Sequence, residues 1–321
     1  MARILTGDKM IESVRKRTFV PDDTSTFDDD DILDIIDEEM NVQVLEKLQT
    51  LHGDNLTVTV DIPRNEKGHY KMPDRALGNK LRDVSMIIGT ELYELGQISP
   101  GALSDYSSGN YAEYDMDLFY LENNKVKIVS PDRGYETIRM RFYIRPNVLT
   151  KLDQAGIIDN IIVDENANTL TLSLSQVGKN FTSTKLYDLV GSKSPNKIEA
   201  YNLKPISVTT STSSGSIVFT LSDIVDYGDL IIGDYVTLEG ETPVPNIPTE
   251  MHPLLAQAAA INVLESLGDS EALANANARM DKMSRSVQTL IDNRVELSPK
   301  KIRPRNGVLS NGNKLGHKGR R

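Results

Sequence analysis

Residues 254–267 read as a helix without a polar side: ten of the fourteen are apolar, and they run all the way round it. A helix of that kind has to be covered on most sides. It marks the centre of a core, and the rest of the chain must supply the cover. Thr249 is the expected N-cap, and Pro253 falls in the first turn, where a missing N–H is tolerated. Gly268 breaks the helix, and a second begins at Asp269 or Ser270. Its apolar positions Leu273, Ala276, Met280, Met283, Val287 and Leu290 alternate by threes and fours, the seam of a helix packing on a neighbour. At about 1.5 Å per residue this rod is roughly 35 Å long. The pair reads as a helical hairpin closing a core, with the rod's other side left for a partner.

Further cover comes from the other end of the chain. Residues 8–17 form a short predicted helix with Met10, Ile11 and Val14 on one side. The run PDDTSTFDDDDILDIIDEEM leads into another, whose inward stripe is Ile32, Ile35, Ile36 and Met40, extended by Val44, Leu45 and Leu48. Residues 56–62, LTVTVDI, alternate as a half-buried strand. Pro73 suits the first turn of a third helix with Ala76, Leu77, Leu81 and Val84 inward. Gly78 inside that helix costs roughly 1 kcal/mol relative to alanine, which implies close packing on another backbone.

From Val84 to Glu239 the period changes to two. Strands are expected at 84–88 and 91–97 around Gly89-Thr90, and at 114–121 and 125–129 around Asn123-Asn124. Others fall at 138–145, at 157–164 and 169–175 around the turn 165–168, and at 216–221 and 234–239. Many short alternating strands read as an antiparallel sandwich or barrel. Residues 207–215 fit a strand plus loop or a flexible stretch equally well. The proline-rich residues 243–248 form a stiff return path to the helices. The expected class is α+β: a helical body of N-terminal helices and a long C-terminal hairpin, an inserted antiparallel β-rich domain, and an extended basic arm. The corresponding division is 1–83 (helical part of the body), 84–245 (insertion), 246–297 (hairpin) and 298–321 (arm).

Charge is strongly polarised along the chain. Residues 22–39 hold ten Asp/Glu and no Lys/Arg, whereas 298–321 hold eight Lys/Arg and no acid. With 36 Lys/Arg and 46 Asp/Glu in all, removing those eight cations leaves the remainder at −18. The acids Asp28, Asp29, Asp30 and Asp31 lack the glycine and twelfth-position glutamate of a calcium loop. They suit a helix N-terminus and read as a solvated helix start, an acidic face for a partner or a channel. The arm's Lys300, Lys301, Arg303, Arg305, Lys314, Lys318, Arg320 and Arg321 suit either phosphates or an acidic protein surface. No aromatic residue stands among them for base stacking.

The absence of cysteine excludes disulfides and thiolate metal sites, and the four histidines show no metal-ligand spacing. No run reaches the ~18 apolar residues of a membrane span, and MARILTGDKMIESVRK lacks an apolar leader core, so the chain reads as soluble and non-secreted, without a membrane partner. None of G-x-S-x-G, H-E-x-x-H, G-x-x-x-x-G-K-[ST] or G-x-G-x-x-G occurs. The expectation is a structural protein and not an enzyme, with no cofactor and no metal.

Three segments in order, YKMPDRALGNKLRDVSMII, RFYIRP at 141–146 and GDYVTLEGETPVPNIPTEMHPLLAQAAAINVLESLGD at 233–269, resemble the head–tail connector (adaptor) proteins of tailed bacteriophages. FDDDDILDIIDEEM and RVELSPKKIRPRNG fit the same pattern, so the resemblance runs nearly end to end. It implies a ring, usually twelve-fold, below the portal protein at the head–tail interface of the virion, assembled in the host cytoplasm. Its implied partners are portal protein, neighbouring copies, the next tail or neck protein, and double-stranded DNA passing without specific binding. An acidic conduit suits sliding DNA. The alternatives are a nucleic-acid-binding virion protein that uses the basic tail, and a capsid-decorating or tail-tube protein.

Overall fold

The computed structural model describes residues 4–20, 26–52, 56–103, 117–129, 134–194, 196–211, 214–224 and 227–291. Helices α1 (Gly7–Thr18) and α2 (Asp29–Glu39) come first, and a π-helical turn, Met40–Val44, carries α2 into α3 (Leu45–His52). Strands β1 (Thr57–Pro63), β2 (His69–Lys71), β3 (Ala76–Ile88), β4 (Glu91–Glu94) and β5 (Gly96–Gln97) follow. Then come β6 (Leu118–Glu122), β7 (Lys125–Ile128), β8 (Thr137–Ile144), β9 (Val148–Leu149), β10 (Gly156–Asp164) and β11 (Thr169–Gln176). The series continues through β12 (Tyr187–Val190), β13 (Ile198–Leu203), β14 (Pro205–Thr210), β15 (Gly215–Thr220), β16 (Tyr235–Leu238) and β17 (Glu241–Thr242). Two helices, α4 (His252–Leu267) and α5 (Ser270–Ile291), come last. The protein is mixed α+β, with several antiparallel sheets and few helices.

The all-round apolar segment is α4, and it is buried. Leu255, Ala256, Ala259 and Ala260 have no exposed surface. Met10 and Val14 of α1, Ile32 and Ile36 of α2, Leu48 of α3, and Met280, Val287 and Ile291 of α5 belong to the same core. Two local expectations are corrected. Thr249 lies in a 3-10 turn and the N-cap is Met251, although Pro253 does occupy the first turn. Leu290 is 56% exposed and Ile291 takes the buried place. Successive residues differ by about 100° around a helix axis, so a one-position error in the stripe turns a side chain outward.

The predicted third helix is a strand. β3 pairs antiparallel with β8, with register shifts between Ala76 and Asp83. A bulge breaks the alternation of two, and the shifted apolar spacing imitates a helix. Gly78 has φ +55°, and a Cβ there would meet nothing within 4 Å, so the glycine serves the bend and not a close approach. Residue 84 consequently falls inside a strand whose sheet, in the order β1-β8-β3-β4, also takes in β1. The expected strand at 91–97 divides at Leu95: β4 pairs with β3, whereas β5 runs parallel to β6.

The largest sheet has the order β13-β12-β16-β10-β11-β15-β14. Its two end strands are separated in sequence by Lys204 alone, so the sheet curves enough to bring one end of each to a shared corner. Asn202 at φ 56° helps turn that corner. Leu170, Leu172, Tyr187, Ile217, Phe219 and Val236 fill the interior. The undecided stretch 207–215 supplies most of β14 and the start of β15. A third sheet, β2-β7-β6-β5, and the parallel pair β17–β9 complete the β structure.

The return segment is a buried seam: residues 242–249 are all buried. Gly7 donates its N–H to the Pro243 carbonyl at 2.9 Å, and a Cβ on it would lie 2.1 Å from the Thr150 oxygen. Here only glycine fits because backbones touch.

Placing Ala259→Asp in α4 puts an unpaired charge in the core and should cost several kcal/mol, whereas Leu290→Asp should change stability by about 0.5 kcal/mol or less. Urea melts compare the two; equal effects would contradict the assignment of faces.

Candidate functional site

Much of the acidic run is occupied within the fold. Asp28 caps α2: its Oδ1 accepts the Asp31 N–H at 2.8 Å, and its own N–H donates to Asp31 Oδ2 at 3.0 Å. This reciprocal capping satisfies two helix-end donors. Asp29 accepts from Arg15 of α1 at 2.9 Å. Lys151, just after β9, reaches Asp29 at 3.1 Å and Asp30 at 3.4 Å. The hydrogen bond from Arg15 is the main reason the Asp29 carboxyl lies below the usual carboxylate range. The run therefore joins α1, α2 and the segment behind β9. Asp30 keeps 84% of its side chain exposed. The eight cations of the arm lie outside the described residues.

A second polar cluster, not anticipated from the sequence, sits where the sheets meet the return segment. Asp188 of β12 has no exposed surface. Its Oδ2 accepts from Arg75 at 3.0 Å, Asn147 Nδ2 at 2.8 Å and the Gly240 N–H at 3.0 Å. Its Oδ1 accepts the Asn202 N–H at 2.9 Å. Arg75 also donates to the Asn147 side-chain oxygen. From Asn147 the network runs through Asn246 to the Asn196 carbonyl. Hydrogen bonds from several donors, one of them a cation, offset the cost of burying a carboxyl group. The signal in the sequence was one acid in an otherwise apolar Tyr187-Asp188-Leu189-Val190, a run whose four residues are all buried.

Two titratable groups tie helices of the core to neighbouring segments. Asp37 of α2 accepts the Leu149 N–H at 2.9 and 3.1 Å. Burial pushes its carboxyl up to about 7, against the pull of that hydrogen bond. His252, fully buried, accepts the Leu5 N–H on Nδ1 at 3.1 Å and lies 3.3 Å from the Ile247 oxygen through Nε2. A neutral ring protonated on Nε2 satisfies both contacts. Burial lowers its pKa to about 4.

A cavity of about 270 Å³ lies between α3 and α5, with Met251, Leu254 and Val287 as its apolar lining and Glu46, Lys47 and Gln288 among its polar residues. Among the described residues, no group of three His, Asp or Glu is placed to hold a metal ion, and no helix is long and apolar enough to cross a membrane. No family model matches the sequence, and no curated protein matches it.

Arg75→Ala would leave Asp188 buried without its cation and should cost about 3–5 kcal/mol, with the loss read in chemical melts. A loss below about 1 kcal/mol would mean that the cluster does not hold the sheets together.

The pH dependence separates the two braces. The folded state holds the Asp37 proton up to about pH 7, so this group's contribution falls as pH rises from about 4 to about 7. The His252 contribution is present above about pH 6.5 and is lost as pH falls towards about 4. Asp37→Asn keeps an acceptor for Leu149 and never ionises. Its stability advantage over wild type should grow between pH 4 and 7 and then level off; a difference independent of pH would contradict the assignment.

Proposed function

We propose that the protein is a structural head–tail connector subunit of a tailed phage, one of a ring of about twelve beneath the portal protein. In this reading the helical body, closed by α4 and α5 as a hairpin, carries the ring contacts. The β-rich part offers the platform for the next tail or neck component. The basic arm engages portal protein or a neighbouring copy, and DNA passes through an acidic conduit without specific binding. The ring belongs to the virion and is assembled in the host cytoplasm, without catalysis, cofactor or membrane.

The observation that carries this reading is α5. It has 22 residues and buries only Ala276, Met280, Val287 and Ile291. Most of the rest of a rod roughly 33 Å long is exposed along its side, the kind of surface subunits use when they stand side by side. The resemblance in sequence supplies the ring and its number. The internal use of Asp28, Asp29 and Asp31 adds a refinement: these acids shape the subunit, and a conduit would draw its charge from the acidic body as a whole.

A salt series discriminates the main rival. The purified protein is titrated with portal protein and, separately, with double-stranded DNA between about 50 and 200 mM salt. Portal association that persists across the range, with only weak DNA binding, is expected. Tight DNA binding that falls by about 10³-fold or more across that range, with no portal association, would replace the connector by a nucleic-acid-binding protein.

A further inference from the structure

α1 ends on Phe19, which takes φ 56° and ψ 22° and is 89% exposed. The left-handed position after a helix is glycine's usual place, and a bulky side chain there is strained. A ring left in solvent gains no burial to offset that cost. The cavity of about 270 Å³ between α3 and α5 is the converse feature. Its apolar lining, Met251, Leu254 and Val287, is buried. An apolar cavity of about 150 Å³ already holds a benzene ring, so this one has room for a phenylalanine side chain. Methionine sulfur makes favourable contacts with aromatic rings and adapts to their shape.

We infer that Phe19 of one copy seats in the α3–α5 cavity of the next, so that copies join head to tail along the flanks of α5. Position selects a second copy as the occupant. Arg17, two residues before Phe19, lies close enough to Arg279 of α5 for their charges to act on one another. Burial first, and that neighbouring charge second, draw the Arg17 guanidinium down to about 10. The cavity, by contrast, is lined by Gln288 of α5. Arg279 and Gln288 are nine residues apart, about two and a half turns, and so stand on opposite sides of the rod. Phe19 and the cavity of its own subunit therefore lie across the rod from each other. A knob on one flank and a hole on the other make a heterologous contact, which repeats from copy to copy.

Charge favours the same pairing. Arg17 donates to Ser13 Oγ at 2.7 Å, and neither Arg17 nor Arg279 is in an ion pair among the described residues. On the cavity flank Glu46 and Lys47 stand at the rim, and Asp281 lies one turn from Ser284 on the same stripe of α5. Glu46 and Asp281 are likewise outside any ion pair among the described residues. Seating Phe19 brings two unpaired arginines towards two unpaired acids, with Lys47 opposing. The basic arm is a poorer occupant, since residues 298–321 hold no aromatic residue. Closure of the series into a ring of about twelve rests on the connector reading; the contact between two copies stands on the subunit alone.

The chain has no cysteine, so introduced cysteines report contacts cleanly. Full-length protein carrying Lys16→Cys and Thr50→Cys, treated with a short bismaleimide in the presence of portal protein, should give a ladder of covalent oligomers. A mixture of the two single variants should stop at dimers, and each single variant alone should stay monomeric. Phe19→Gly should hold or raise the melting temperature, because glycine takes φ 56° without strain, and yet weaken self-association at least about 30-fold. Ser284→Trp, which fills the cavity from its rim, should weaken it similarly, with Thr50→Trp as a second filler. Mixed with Phe19→Gly, either filled variant should form pairs, since one partner keeps the hole and the other the knob. Unchanged association of Phe19→Gly would overturn the inference, as would a ladder that needs only one of the two cysteines. A filled cavity that abolishes portal attachment but leaves self-association intact would give the cavity to portal protein and overturn it too. Electron microscopy of the same samples separates the two readings. Rings formed by Phe19→Gly sink this contact and leave the connector standing; a wild type with neither rings nor cross-links sinks both.

Discussion

The structure depends on one buried carboxylate. Asp188 stands on β12 inside the seven-stranded sheet, and its donors come from Arg75 ahead of β3, from Asn147 between β8 and β9, and from Gly240 ahead of β17. Those positions adjoin strands of different sheets, and through Asn147 and Asn246 the same network reaches the return segment that enters α4. A charge without exposed surface tolerates only a narrow set of arrangements, because each donor lost leaves part of it uncompensated in a low dielectric. Apolar packing could hold the same segments together with many slightly different registers; the carboxylate and its donors select one. The sheets and the helical body are thereby fixed in one relation.

A fixed relation of this kind suits the connector proposed above. In that proposal force between a head and a tail would cross each subunit from one set of neighbours to another, and a hinge between helices and sheets would absorb it. Contacts along the rest of the seam act in the same sense: Gly7 against Thr150 and Pro243, His252 against Leu5, and Lys151 against the start of α2. Each ties a residue near one end of the chain to one far away in sequence. The acids at 28–31 belong to this bracing, which explains why a charge run can mark a joint as well as a partner surface.

The helical core was the most legible part of the sequence. Its apolar stripes at Ile32, Ile36 and Met40 and around α4 are set by a period that burial enforces directly. The hairpins around Asn123-Asn124 and 165–168 were legible for a similar reason, since a turn at positive φ favours few residue types. The bulged start of β3 was misread because a bulge removes the alternation that identifies a strand, and Gly78 suits a helix contact as well as a bend. β12 was invisible for the opposite reason: all four of its residues are buried, so no alternation exists to see. The Asp188 cluster could not be read at all, since Arg75 and Asp188 lie 113 residues apart and the other donors come from separate turns that meet only when the sheets are placed together. Of the candidate site residues, the acids were legible as a helix start, but their pairing with Arg15 and Lys151 depends on packing between elements.

Electron microscopy of the protein bound to purified portal protein should show a single ring of about twelve copies beneath the portal, coaxial with its channel, with the helical bodies side by side around the lumen. A monomer or a twofold pair attached to the portal, or a portal left bare, would contradict the connector proposal.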